Sequence, residues 1–478
     1  MRHEVYAEDP LGALVRGPGK KALLRNRDFE IRDGMEIVVF KDIHPGDNGL
    51  AEATCFDGLM GYISERNKAL LNGDYQAKNG AFVNAFLNAG YVVMANDYSI
   101  STQMGYDIDH ENVQNSLAPN TDRASGGSSS GAGALAASGL ILVTRDKRRV
   151  RATVIATCGD YAGSTRYPAA VNGTFGVVPS TGLILSSADA YDLLGMSVDA
   201  VMTGNPRRDA RCLDVMPKTQ RAVEAGHFFN RPNLGVFGRI AVSPSLDSRV
   251  TSMDKLSEEA VNNAIRRLER AGITVKEAKP RDLPLTGKEL ELKEAYADIA
   301  THAAKLSWDK MVEAVGEEAL RDIPSHFRMF AEIGRHIEDE ASDAVETASR
   351  IRTDCLQRQQ RLRENNEAYD AWLWPTMRNR SLARRKDLKL VTPLQKGVLR
   401  VSARAPKFVL DRVTPLFIDG AVDAIVYANA IGNGSVTCNT HEEGVGTQMT
   451  PTLWGDDARA INTAEIVHED ARVMRLQA

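Results

Sequence analysis

The sequence has 478 residues, 43% of them hydrophobic and 26% charged, and this balance excludes a disordered, collagenous or fibrous chain. Its formal net charge of −4 leaves no basic excess to attract nucleic acid or an anionic membrane surface. The five cysteines form no CxxC pair and the nine histidines no HExxH motif, so neither a disulfide framework nor a metal site is expected. A polar N-terminus and the absence of an apolar run of about 18 residues predict a cytoplasmic protein.

The first half of the chain alternates between strand and helix patterns. The short apolar run 37–40, rich in β-branched residues, predicts a strand buried on both faces. Apolar residues at helical spacing in 82–87, stopped by Gly90, predict a helix followed by a strand at 91–95. The same order of helix, glycine and strand recurs over 261–275. Repeated units of this kind predict an α/β fold, with helices on both faces of a sheet.

The pattern changes near residue 286, and three regions are expected. Residues 1–285 are expected to form the first part of an α/β core. Residues 286–390 show long helical spacings, with no strand pattern until the 390s, and predict an added helical layer rather than an independent domain. Residues 391–478, where mixed patterns and glycines return, are expected to rejoin the core.

A Gly/Ser-rich segment over residues 125–131 leads directly into the alanine-rich residues 132–137. Composition alone favours a flexible linker. The immediate continuation into a small-residue helix instead favours a tight loop at a helix N-terminus, where backbone N–H groups favour negative charge. A phosphate-binding loop is the other alternative, although the segment lacks the lysine of the GxxxxGK(S/T) pattern.

A second Gly/Ser loop follows the strand pattern of residues 152–157 and includes Gly163 and Ser164. A serine at the end of a strand, preceded by small residues whose N–H groups can converge, suits a nucleophile beside an oxyanion hole. Asp160 and Arg166 can bracket this turn as an ion pair. On its own such a pattern is often only a turn.

Together the two loops resemble the amidase signature family. Residues 126–131 resemble the family's GGSS-G motif, and residues 160–169 resemble its D-x-G-G-S-x-R-x-P-A motif. Three further segments are similar to family motifs in the same order along the chain: residues 41–42, 369–376 and 429–448. The resemblance implies the fold of that family, with a mixed, twisted sheet covered by helices on both faces.

The resemblance also implies a set of catalytic residues. Members of the family use a Ser–cis-Ser–Lys triad, in which Ser164 would be the nucleophile, Ser128 the bridging serine and Lys41 the base. A serine hydroxyl is a weak nucleophile at neutral pH and needs such a base, and a lysine can accept the proton only in its neutral form. The bridging serine would follow a cis peptide bond, here Gly127–Ser128.

Further residues are implied in supporting roles. The expected oxyanion hole consists of four successive backbone N–H groups, those of Tyr161, Ala162, Gly163 and Ser164. Ser129 is expected to steady the lysine side chain by hydrogen bonding. Asp160 and Arg166 are expected to support the loop structurally.

The function implied is that of an amide hydrolase needing no metal and no cofactor. Such an enzyme would cleave a small carboxamide, hydrazide or urea-like amide to an acid and an amine through an acyl-enzyme on Ser164. One alternative is the glutaminase subunit of an amidotransferase complex, resembling the component that supplies ammonia to misacylated tRNA. Another is a scaffold without activity, which the retained triad argues against.

Expected partners are a small-molecule amide and, because many relatives are dimers, a second copy of the chain. No nucleic acid or membrane partner is expected. The basic residues 145–151 lie between the two loops and predict a surface hairpin, which either contacts a partner or is simply solvated.

Overall fold

The computed structural model describes the parts of the chain that form the sheet, its covering helices and the two Gly/Ser-rich loops. The described residues are 6–8, 11, 13–14, 30–41, 81–97, 113–119, 123, 125–144, 146–161, 163–185, 197–244, 253–279, 282–283, 285, 287–315, 317, 335, 338–376, 429, 431–441 and 443–468. All structural statements below refer to these residues.

One sheet of 12 strands organises the described residues. Its strands are β1 Tyr6–Glu8, β2 Met35–Lys41, β3 Val92–Asp97, β4 Leu140–Val143, β5 Arg149–Asp160, β6 Phe175–Val178, β7 Val198–Thr203, β8 Arg239–Val242, β9 Thr274–Glu277, β10 Ala371–Pro375, β11 Ser435–His441 and β12 Val445–Pro451. Neighbours follow the order β1-β4-β5-β7-β6-β11-β12-β10-β8-β9, while β2 pairs with both β5 and β3. The β2–β3, β2–β5, β8–β9 and β8–β10 pairs are parallel and the others antiparallel, which confirms the expected mixed sheet.

Helices cover both faces of this sheet, as the sequence pattern predicts. They are α1 Ala81–Asn88, α2 Ser130–Ser138, α3 Arg166–Asn172, α4 Pro206–Val215, α5 Gln220–Glu224, α6 Lys255–Arg270, α7 Glu289–Val315, α8 Glu338–Glu364 and α9 Asp457–Val467, with a short 3₁₀ turn at Pro232–Leu234. Apolar residues of α1, α4, α6 and α9 form one core with the sheet, and those of α2, together with Ala169 of α3, belong to a second core. None of the described helices is long and apolar enough to cross a membrane.

The alternation of side chains along β2 decides where Lys41 lies. Val38 and Phe40 belong to the core beneath α1, α4, α6 and α9, whereas Ile37 and Val39 belong to the core beneath α2. Because successive side chains of a strand point to opposite faces, Lys41 shares the face of Ile37 and Val39. The lysine is therefore directed toward the helix that follows the first Gly/Ser loop.

The predicted helical layer is present, but it is not free of strands. Helices α7 and α8 pack against each other and form a third apolar cluster with Tyr167, Trp372 and Trp374. The expectation that no strand occurs before the 390s is wrong, since β10 pairs with β8 and β12 inside the main sheet. All five residues of β10 are buried, and a short apolar run of this kind cannot be separated from a helix segment by periodicity.

The basic segment that follows the first loop is a surface hairpin, as predicted. It joins the antiparallel strands β4 and β5. Arg149 forms an ion pair with Glu8 at 2.6 Å, and the Arg148 guanidinium donates to the Ile31 carbonyl at 3.4 Å. These two arginines therefore contact neighbouring segments of the chain itself; Arg145 lies outside the described residues.

Candidate active site

Lys41 is the last residue of β2 and is only 1% exposed. Its Nζ lies 2.9 Å from Ser128 Oγ and 2.9 Å from Ser129 Oγ. The side chain thus reaches into the first Gly/Ser loop and contacts two consecutive serines there. The predicted hydrogen bond between Ser129 and Lys41 is confirmed.

The first loop approaches α3 so closely that a side chain would not fit. Gly126 has a φ of +79°, and a Cβ added there would lie 2.9 Å from Pro168 Cα. Gly133, one turn into α2, would place a Cβ 2.7 Å from Asn172 Nδ2. Asn172 Nδ2 also donates to the Ser125 carbonyl at 2.8 Å. The glycines therefore let α2 and its loop pack directly on α3, and a flexible linker is ruled out.

Ser129 stands at the N-cap position of α2 but does not cap the helix with its side chain. An N-cap serine ordinarily accepts a hydrogen bond from the first turn, which stabilises a helix by about 1 kcal/mol. Here its Oγ is hydrogen-bonded to Lys41 Nζ instead. The local capping interaction has been replaced by a contact that holds the lysine.

Hydrogen bonds join the two Gly/Ser loops. Ser128 Oγ lies 3.1 Å from Ser164 Oγ, and the Ser129 N–H donates to the Ser164 carbonyl at 3.3 Å. The peptide bond between Gly127 and Ser128 is cis, as expected. Lys41 and Ser128 are buried, whereas Ser164 is partly exposed. The three side chains therefore form a chain from a buried amine to an accessible hydroxyl.

Asp160 and Arg166 form the predicted ion pair and are both fully buried. Arg166 donates to the carboxylate through Nη2 at 2.7 Å and Nε at 3.1 Å, and the N–H groups of Gly163 and Thr165 donate to it at 3.0 and 2.9 Å. Burial acts to raise the pKa of Asp160, but the guanidinium and these N–H donors hold that pKa below its ordinary value. The ionised carboxylate braces the turn that presents Ser164.

Asn429, from a distant part of the chain, is hydrogen-bonded to both Asp160 and Arg166. Its Nδ2 donates to the Asp160 carboxylate and to the Asp160 carbonyl, each at 2.9 Å, and its Oδ1 accepts from Arg166. The Asn429 carbonyl accepts from Arg352 of α8 at 3.3 Å. In the sequence, residue 429 stands out only as the start of a family motif, and nothing in the local pattern indicates this contact.

The four N–H groups predicted as an oxyanion hole differ in their surroundings. The Gly163 N–H donates to Asp160, so it braces the turn in this structure. Among the described residues, the Ser164 N–H has no hydrogen-bond acceptor. Ala162 lies outside the described residues. Tyr161 is partly exposed, and its carbonyl accepts a hydrogen bond from the Tyr296 hydroxyl of α7.

The described residues contain no group of three or more His, Cys, Asp or Glu side chains that could hold a metal ion. What the site offers is a hydroxyl connected to an amine through a second hydroxyl, beside backbone N–H groups. This arrangement can activate an oxygen nucleophile and stabilise a developing oxyanion.

A family model described as Amidase matches residues 68–403, which include Ser128 and Ser164 but not Lys41. No curated protein sequence matches the chain significantly.

Several solved structures have a similar fold. A 6-aminohexanoate cyclic dimer hydrolase in complex with substrate has a TM-score of 0.67 at 18% identity, over 91% of this chain and 84% of that one. A bacterial aryl acylamidase of the amidase signature family has a TM-score of 0.63 at 15% identity, over 96% and 89% of the two chains. One component of the glutamyl-tRNA(Gln) amidotransferase of Thermotoga maritima has a TM-score of 0.61 at 17% identity, over 97% and 90%. At these identities the likeness shows a shared fold.

Proposed function

Because this chain belongs to the amidase family and hydrolyses carbon–nitrogen bonds other than peptide bonds, we propose that it does so with Ser164 as nucleophile, activated through Ser128 by Lys41. The observation that supports this proposal is the hydrogen-bonded chain of 2.9 Å from Lys41 Nζ to Ser128 Oγ and 3.1 Å from Ser128 Oγ to Ser164 Oγ. Lys41 and Ser128 are buried and Ser164 is partly exposed. This order supports the proposed roles, because a base is best kept from water and a nucleophile must contact the substrate.

In the first half of the reaction, Ser164 Oγ attacks the amide carbonyl carbon. Its proton passes to Ser128 Oγ, whose own proton passes to the neutral amine of Lys41. The carbonyl oxygen becomes an oxyanion, for which we propose the N–H groups of Tyr161, Ala162 and Ser164 as donors. Each well-placed donor of this kind lowers the barrier by about 3–4 kcal/mol.

In the second half, the carbon–nitrogen bond breaks and the leaving nitrogen takes a proton returned from Lys41 through Ser128. An acyl-enzyme on Ser164 remains. A water molecule then loses a proton through Ser128 to Lys41 and attacks the acyl carbon. The bond between that carbon and Ser164 Oγ breaks, Ser164 Oγ takes the proton back through Ser128, and the acid is released. Asp160 and Arg166 hold the loop in place and exchange no proton in this scheme.

Labelling by a fluorophosphonate probe tests the nucleophile. We expect the adduct on the peptide containing Ser164, and we expect Ser164→Ala to abolish it. Ser138→Ala is the matched control and should be labelled like the wild type. Ser138 lies at the far end of the helix that follows the first loop, and its hydroxyl donates to the Gly139 carbonyl. An adduct mapped to another residue would refute the assignment.

Turnover tests the base. Lys41→Met should lower kcat by roughly 10⁴-fold or more while the protein remains folded, as expected when one member of a cooperating set is removed. Lys255→Met, which removes a lysine that is 89% exposed, is the control and should leave kcat unchanged. Unchanged turnover in Lys41→Met would exclude it as the base.

We propose a small carboxamide, hydrazide or urea-like amide as substrate, and a panel of these compounds assayed for released amine or ammonia would identify it. Glutamine hydrolysis that appears only when partner proteins are added would instead favour the glutaminase component of an amidotransferase.

A cytoplasmic location and a homodimer are likewise proposals. Light scattering of the purified chain tests whether it forms a homodimer.

A further inference from the structure

The first Gly/Ser loop runs alongside α3 for the length of that helix, about 10 Å for its seven residues. Just before the helix begins, Ser128 Oγ lies 3.1 Å from Ser164 Oγ. Near its middle, Gly126 lies so close that an added Cβ would be 2.9 Å from Pro168 Cα. At its last residue, Asn172 donates a hydrogen bond to the start of the loop. The loop is therefore held to the helix at both ends, and the proposed proton route lies at only one of them.

Asn172 holds its end of the loop with a buried carboxamide that is 1% exposed. Its Nδ2 donates to the Ser125 carbonyl at 2.8 Å and to the Pro168 carbonyl at 2.9 Å. Its Oδ1 accepts from the Ser116 N–H at 3.0 Å. Because both amide hydrogens and the carbonyl oxygen have partners, these contacts fix the orientation of the side chain. That orientation in turn fixes the Ser125 carbonyl relative to α3.

Ser125 closes the loop on itself. It is fully buried, and its Oγ donates to the Ser130 carbonyl at 2.9 Å and lies 3.3 Å from Asn172 Oδ1. Residues 126–129 lie between the two ends of this hydrogen bond, and they include the bridging serine. Holding the two ends of so short a segment restricts the residues between them. The position of Ser128 thus depends on a hydroxyl and a carboxamide that meet at the opposite end of α3.

These contacts matter for the reaction because a proton passes between two hydroxyls only when they are within hydrogen-bond distance. A displacement of about 1 Å at a reacting group can lower a rate by about 10²-fold. We propose that Ser125 and Asn172 are positioning residues, which keep Ser128 Oγ within hydrogen-bond distance of Ser164 Oγ. This inference rests on the proposed function. Neither side chain exchanges a proton in the reaction.

The rate constant for fluorophosphonate labelling tests this role without knowledge of the substrate. In that reaction Ser164 Oγ forms a bond to phosphorus, the P–F bond breaks, fluoride leaves and the serine proton passes through Ser128 to Lys41. Saturation kinetics separate the initial binding constant KI from the first-order constant kinact. A loss of stability lowers the fraction of folded protein but not kinact of the folded molecules, so a purely structural role would leave kinact unchanged.

Ser125→Ala should lower kinact by roughly 3- to 10-fold, because the loop loses the hydrogen bond that closes it. Asn172→Asp should lower kinact by roughly 10-fold or more at neutral pH, since a carboxylate of nearly the same shape cannot donate to the Ser125 and Pro168 carbonyls. KI should stay at the wild-type value in both variants, because both side chains are buried.

Each variant has a matched control. Ser116→Ala removes a hydrogen bond from Ser116 Oγ to the Asn172 backbone carbonyl, at 3.1 Å, and leaves the contacts of the Asn172 side chain with the loop intact. Asn462→Asp changes another buried asparagine, whose Nδ2 donates to the carbonyls of Arg231 and Gly235 at 3.0 Å each. Both controls should keep the wild-type kinact.

The outcomes separate the inference from the function on which it rests. A fall in kinact with constant KI in both Ser125→Ala and Asn172→Asp, and in neither control, supports both. Wild-type kinact in either variant would overturn the inference alone, whatever the change in melting temperature. An equal fall in Ser116→Ala would also overturn it, because the contact with the loop would then not be the cause. Failure of the wild-type protein to become labelled at Ser164 would overturn the proposed function and the inference with it.

Discussion

Replacing Arg166 by Met tests how the loop that presents Ser164 is held in place. Arg166 and Asp160 are fully buried and joined by two hydrogen bonds of 2.7 and 3.1 Å, so the substitution leaves a carboxylate in the interior without its cation. Breaking a buried pair on one side destabilises a protein by about 3–5 kcal/mol. With about 2.1 cal/mol/K of unfolding entropy per residue, this corresponds to a fall in Tm of roughly 3–5 °C for a chain of this length.

The effect of this substitution should depend on pH, with a sign that follows from Asp160. In the wild type its pKa lies below the ordinary value of 3.8, so its contribution to stability is present above pH 3.8 and is lost as the pH falls through the folded-state pKa. In Arg166→Met, burial without the guanidinium raises the pKa of Asp160, so mild acid neutralises the unpaired carboxylate. The stability deficit should therefore be largest near neutral pH and should narrow toward about pH 5.

Thermal melts and urea unfolding of both proteins across this pH range provide the measurement. Arg149→Met is the control, because Arg149 and Glu8 form an exposed pair with side chains 63% and 39% accessible. Exposed pairs contribute about 0–1 kcal/mol, so this variant should melt near the wild type at every pH. The reasoning would be refuted if Arg166→Met lost no more stability than Arg149→Met, or if its loss of stability did not change with pH.

Two further substitutions test the loop packing and a second buried acid. Gly126→Ala should destabilise the protein by more than about 2 kcal/mol in urea unfolding, since a positive φ costs about 1–2 kcal/mol and the Cβ would also lie 2.9 Å from Pro168 Cα. Gly34→Ala, with a φ of +73° but nothing within 4 Å of its Cβ, should show only the smaller conformational cost. Burial raises the pKa of Asp457 from 3.8 to about 6, despite hydrogen bonds from Ser180, so the folded state binds its proton more tightly than the unfolded state. The free energy of unfolding of the wild type relative to Asp457→Asn should therefore fall by up to about 3 kcal/mol as the pH rises from 4 to 6. A difference between the two proteins that does not change with pH would contradict the raised pKa of Asp457.

Several features of the fold and the site are predictable because they are local. The strand that ends at Lys41 follows from a short β-branched run, and its burial on both faces from the absence of polar alternation. The ion pair between Asp160 and Arg166 spans a single turn, so spacing along the chain was enough to suggest it. The order of motifs also identified Ser128 and Ser164 as neighbours, by resemblance to a family.

Other features were missed because their sequence signal is weak or fits more than one structure. The strand Ala371–Pro375 is a buried run of five residues that follows a long helix, and a run this short fits either state. The hydroxyl of Ser129 was correctly assigned to Lys41, but only the family resemblance suggested it, since an N-cap serine normally bonds its own helix.

By itself the sequence predicted most of the local elements and the two glycine-rich loops, and its resemblance to a family supplied the three residues of the proposed triad. Only the tertiary structure decided what surrounds them. Asn429 contacts Asp160 across 269 residues of chain and Tyr296 contacts Tyr161 across 135, and no periodicity or spacing specifies contacts between segments so far apart. Such contacts depend on how the helical layer packs against the sheet, which is decided only when the whole chain is folded.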